Sequence, residues 1–149
     1  MGRVSVKHIL ASLVLLLPAL AFADHELENR DLRKGRALYA VHCASCHGAK
    51  LEGQPNWRRP GKDGIRPAPP HDETGHTWHH DNQYLFDYTR LGGKALFEAR
   101  GLPEIPSGMP APSEELTDDG IWDVLAYIRS TWPDKIRRIQ ATTNPRHER

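Results

Sequence analysis

Residues 43–47 read Cys43-Ala44-Ser45-Cys46-His47, and they hold the only two cysteines of the 149-residue chain. A CxxCH run is the pattern through which a haem is joined covalently to protein. Its two sulfurs take the vinyl groups as thioethers, and the histidine is placed to bind iron from one face. Three other chemistries use a CxxC. A thiol–disulfide redox pair calls for a βαβ context, and none flanks this run. A closed zinc site needs four ligands, generally including a second cysteine pair, which is absent. A plain structural disulfide fits an exported protein. Haem attachment accounts best for the adjoining histidine. Cys43 and Cys46 are therefore the expected thioether positions and His47 the expected proximal iron ligand.

The N-terminus bears on compartment. Arg3 and Lys7 form a charged region, residues 9–21 are almost wholly apolar, and Ala21-Phe22-Ala23 offers a small-x-small cleavage site before Asp24. Residues 1–23 thus read as a cleaved secretory signal peptide; the apolar run is short for a membrane span. Covalent haem attachment is an extracytoplasmic process, so a periplasmic location is expected. Removing residues 1–23 takes 20 basic residues to 18 against 19 acidic ones. A near-neutral chain argues against bulk nucleic-acid binding and leaves docking to local patches. The 126 residues left are the size of one domain.

Leu32, Gly35, Leu38, Tyr39 and His42 recur at helical spacing and predict a helix over about 31–42, running straight into the cysteine motif. Residues 49–80, with Pro55, Pro60, Pro67, Pro69 and Pro70, read as a long wrapped loop covering a haem edge. Asp81 is placed to cap a helix whose apolar face is Tyr84, Leu85, Tyr88 and Leu91, closed at Gly92-Gly93, with a short turn over 94–99. After a second proline-rich loop at 101–113, Thr117 caps the clearest helix. Its buried stripe is Ile121, Val124, Leu125, Ile128 and Trp132, and Gly120 stands where a capping-box Glu would sit. The expected organisation is a signal peptide over 1–23, a domain over 24–133 and a basic, flexible tail over 134–149.

The other face of the iron needs a ligand. Methionine thioether is the usual partner for electron transfer because it raises the potential. Met1 leaves with the signal peptide, so Met109, in a loop stiffened by Pro106 and Pro110, is the expected distal ligand. Its competitors are His71, His76, His79 and His80, four histidines within ten residues. They could also bind copper or zinc, although spacing alone fixes no metal geometry. The simpler reading is a polar loop packed around a haem edge. Trp57 and Trp78 are expected to shield the haem or the core.

With Gly35, Tyr39, the Cys43–His47 run, Met109 and the Trp122-Asp123-Val124-Leu125-Ala126-Tyr127-Ile128 segment in place, the chain resembles the class I c-type cytochromes in their small bacterial monohaem form. The resemblance implies an all-α cytochrome c-like fold with the haem in a loop-wrapped pocket. It also implies that the N- and C-terminal helices cross at close range, Gly35 against Tyr127. Thioethers at Cys43 and Cys46 and axial ligation by His47 and Met109 follow from it too. In that family a proline carbonyl commonly takes the second ring N–H of the axial histidine, and Pro55 and Pro60 are the candidates here. The middle of the chain, with its histidines and Gln54-Pro55-Asn56-Trp57, departs from the smallest members.

The function expected is an exported electron carrier with one haem c, not an enzyme. It would dock transiently with redox protein partners such as a dehydrogenase, an oxidase or another cytochrome of a respiratory chain, without a stable membrane anchor. A haem enzyme or gas sensor with an open distal face, or a metal-handling protein using His71–His80, is the rival.

Overall fold

The computed structural model describes residues 26–144; the expected signal segment lies outside the described residues. Six α-helices and one 3₁₀ turn make up the regular structure, with no strand among the described residues. In chain order they are α1 (Leu32–His42), α2 (Ala44–His47), the 3₁₀ turn (Thr77–His79), α3 (Asn82–Leu91), α4 (Gly93–Ala99), α5 (Asp118–Ser130) and α6 (Asp134–Ala141). The three longest start on side-chain caps that local sequence dictates. Asp31 accepts from Arg33 and Lys34 N–H, Asp81 from Tyr84 N–H and Thr117 from Gly120 N–H, satisfying donors that an uncapped first turn would leave unpaired.

The fold is organised by α1 crossing α5, the most extensive helix pair. A Cβ added to Gly35 would overlap the Asp123 carbonyl and lie 3.0 Å from Tyr127 Cβ, so the backbones approach to a distance only glycine permits. Around this point Lys34 Nζ bonds Asp123 Oδ2 at 2.9 Å, and Tyr39 meets Tyr127 edge to face at 5.7 Å. Gly120 leaves room for Leu38 and Leu116, whose methyls would stand 3.1–3.2 Å from a Cβ there. That contact explains why no capping-box Glu occupies the position. All five residues of the expected α5 stripe are buried.

α3 differs from its predicted facing. Phe86 is its buried aromatic residue, stacked on Trp122 of α5 at 4.4 Å, whereas Leu91 is exposed. Tyr84 and Tyr88 lie half-buried on a separate face. The C-terminal segment differs as well. Where the sequence suggests a basic flexible tail, residues 134–141 form α6, and Gln140 is fully buried. Gln140 Nε2 donates to Asn82 Oδ1 at 2.8 Å and to the His80 carbonyl at 3.3 Å, while Arg129 Nε donates to Gln140 Oε1. Asn82 is completed by Glu26 and Asn144. One glutamine thus ties α6 to the start of α3 and to the end of the histidine-rich loop.

Two substitutions test these contacts. Gly35→Ala is expected to destabilise by about 1–3 kcal/mol, because the obstructing atom is a helix carbonyl that cannot swing aside. Gln140→Ala is expected to cost about 1–3 kcal/mol by removing the buried donor to Asn82 Oδ1 and the His80 carbonyl. Urea unfolding followed by far-UV circular dichroism measures both, and a variant as stable as the wild type would contradict the corresponding contact.

Candidate functional site

α1 ends at Cys43, whose N–H still bonds the Tyr39 carbonyl, and α2 follows as a single turn carrying Cys46 and His47. His47 N–H bonds the Cys43 carbonyl at 2.9 Å, so the motif folds as one compact helical corner. Gly48, at φ +83°, ends it. Both cysteines are free thiols, Cys43 partly buried and Cys46 exposed. Burial pushes the Cys43 thiol up to about 11. A disulfide-exchange site needs the opposite shift, so the redox-pair chemistry is disfavoured.

His47 is buried, and its Nδ1 lies 2.9 Å from the Pro69 carbonyl. Pro69 therefore takes the place for which Pro55 and Pro60 were the candidates. The reason lies in how the long loop folds back. Gly53 N–H bonds the His47 carbonyl, Gln54 N–H bonds Ala68 O, and His71 N–H bonds Leu51 O, each at 2.8 Å. The segment 51–54 is thereby strapped against 68–71, and residues 55–67, with Pro55 and Pro60, lie beyond the strap. Leu51 holds a left-handed φ of +64° to make the turn and is kept there by burial. With Nδ1 bonded to a carbonyl, His47 carries its proton there and leaves Nε2 uncommitted.

The four loop histidines do not converge. His71 stacks on His47 at 3.9 Å, His76 on Trp57 at 5.4 Å, His79 on Trp78 at 3.7 Å and His80 on Tyr84 at 4.4 Å. No group of three or more His, Cys, Asp or Glu is placed to hold a metal ion among the described residues. A band of rings emerges instead: Trp57, His76, His80, Tyr84, Tyr88 and Phe97 meet in succession at 4.4–5.8 Å. Arg58 covers Trp57 and Arg100 covers Tyr84. The signal available for this band was the i, i+4 spacing of His80, Tyr84 and Tyr88.

The band ends at the loop of Met109. Tyr88 and Ser107 hydroxyls share a hydrogen bond of 2.8 Å, and Ser107 Oγ accepts from Met109 N–H at 3.3 Å. Gly93 N–H bonds the Met109 carbonyl at 2.9 Å. Gly92, at φ +75°, lets Pro110 and Ala111 pass closer than a side chain would allow. The half-buried Met109 is thus fixed through its main chain to the α3–α4 junction.

This donor set suits a covalently bound porphyrin: two free thiols on one helical corner and a buried imidazole with Nε2 uncommitted. A buried, unpartnered His71 Nδ1 beside the imidazole points the same way, since the chain alone leaves that atom unsatisfied. Burial pushes His47, His71, His76 and His80 below the ordinary histidine range. Their protons are taken up by the unfolded chain at higher pH than by the folded one. Stability is therefore expected to fall as pH drops from about 6.5. Calorimetric melting between about pH 7 and about pH 5 should show that fall, and the double variant H76Q/H80Q should make it shallower; an unchanged slope would contradict the burial argument.

A family model described as Cytochrome c matches residues 32–132. No curated protein and no solved structure matches the chain.

Proposed function

The chain belongs to the cytochrome c family, and on that premise we propose that it is an exported carrier of single electrons built around one haem c. Haem binding and electron transfer are the family's properties; the residue roles, the single haem and the export are our reading. Cys43 and Cys46 would hold the haem as thioethers, and His47, through Nε2, and Met109 would ligate the iron. The chemistry supplied by the bound group is one-electron exchange between Fe(III) and Fe(II).

The observation that carries this reading is the pairing of two main-chain-fixed ligand positions. The Pro69 carbonyl orients His47 and raises its basicity as a ligand, and the prolines about it stiffen the acceptor. At Met109, hydrogen bonds on both sides of the residue hold the loop in register with α3 and α4. A thioether is a weak ligand, so the loop must supply the positional constraint that bond strength does not. With His47 and Met109 both committed to the iron, no coordination position would be left for a substrate, which favours a carrier over a haem enzyme or gas sensor. The strapped loop covers the buried His47 and would lower the dielectric around a bound haem.

One haem is expected because the chain has a single CxxCH. Residues 1–23 support export by their signal-peptide pattern, consistent with attachment outside the cytoplasm. No helix among the described residues is long and apolar enough to cross a membrane. Partners are redox proteins of a respiratory chain that dock transiently near the exposed Cys46 edge through a small interface.

Spectroscopy of the purified holoprotein tests the ligand set. The oxidised wild type is expected to show a thioether-to-iron charge-transfer band and its reduced form to resist carbon monoxide. Met109→Ala should abolish the band and open the iron to carbon monoxide. A wild type that binds carbon monoxide readily, or a variant with an unchanged spectrum, would favour the open-face rival. Replacing both Cys43 and Cys46 by Ala should leave no haem on the chain after denaturing electrophoresis.

A further inference from the structure

His71 has no structural explanation as a histidine. Its ring lies in the interior beside Tyr39, which it meets edge to face at 5.9 Å, and against His47. Its Nδ1 is buried and has no hydrogen-bond partner. Leucine or phenylalanine would fill the same space without burying an unpaired polar atom, which destabilises a fold. Everything that holds the residue acts on its backbone: its N–H bonds the Leu51 carbonyl at 2.8 Å, and its carbonyl accepts from Trp132 Nε1 at 2.7 Å. The ring is thus carried on a fixed main chain and set nearly parallel to His47, 21° from coplanar at 3.9 Å between centroids.

We infer that His71 is a positioning residue for the axial imidazole, its stacked ring fixing the plane of His47 about the iron–nitrogen bond. The inference rests on the proposal that His47 ligates iron. The Pro69 hydrogen bond fixes His47 at one atom, and rotation about the axis from iron to that atom stays open. A parallel ring on one face and the Tyr39 edge behind it close that freedom. The orientation of an axial imidazole plane sets the splitting of the iron d orbitals, a property independent of whether the fold is merely stable.

The test is electron paramagnetic resonance of the ferric holoprotein, with the midpoint potential measured alongside, in wild type, H71F, H71L and H71N. Phenylalanine keeps a stacking ring; leucine keeps volume without one; asparagine keeps a polar atom without one. The expected result is a wild-type spread of g values in H71F and a shifted or broadened spread in H71L and H71N. H71N reports the same contrast if H71L does not accumulate. A wild-type spread in the ringless variants, or a shift in H71F as large as in H71L, overturns the inference while leaving the ligation of His47 standing. A wild-type protein with no low-spin, histidine-ligated signal overturns both.

Discussion

The structure depends on one close approach. At Gly35 the backbone of α1 comes within touching distance of the Asp123 carbonyl on α5, a contact that any side chain would forbid. Everything that must be placed precisely is measured from that crossing. α1 leads directly into the cysteine corner, so the position of Cys43, Cys46 and His47 is set by where α1 lies on α5. Trp132, two residues beyond α5, reaches back to the His71 carbonyl and fixes the loop beside His47 from the other end of the same helix. Tyr39 links the two halves, donating to the Gly48 carbonyl at 3.0 Å while its ring abuts Tyr127.

The electrostatics of the crossing follow the same economy. Asp123 is buried and ion-paired with Lys34, which stays half-exposed. A buried carboxylate costs stability unless paired, so the lysine is retained to compensate rather than to add. The exposed Arg30–Asp119 pair at 3.1 Å lies at the rim, where such pairs contribute little. Hydrophobic burial along α5 and the helix caps do most of the work of holding the frame. The loops then hang on main-chain hydrogen bonds, which suits segments with so many prolines.

Much of this was legible in the residues. The cysteine corner, the caps at Asp81 and Thr117 and the α5 stripe are local or periodic signals found again in three dimensions, while the Gly35–Tyr127 approach was legible only through the family resemblance. What escaped is non-local. Proline carbonyls near His47 cannot be told apart without knowing that segment 51–54 straps against 68–71. Phe86 lay outside the apolar stripe traced through Tyr84, Leu85 and Tyr88, because the surface of Trp122 decides which face of α3 turns inward. α6 is docked by Ile136 against the core and by Gln140 in a polar network, and a single buried amide is no signal in the sequence. Its residues also lie past the end of the family match, so shared pattern does not reach them. The histidines suggested a cluster by their density, yet each pairs with a different ring.

The network at Asn82 has a consequence for how the two ends of the described chain depend on each other. Its partners include Glu26, near the start of the described chain, and Gln140 and Asn144, near its end. Gln140 also holds the His80 carbonyl, where the histidine-rich loop runs into α3. A single polar side chain at the head of α3 thus makes the beginning and the end of the described chain share one anchor, and a change at either end is carried to the loop that leads into α3.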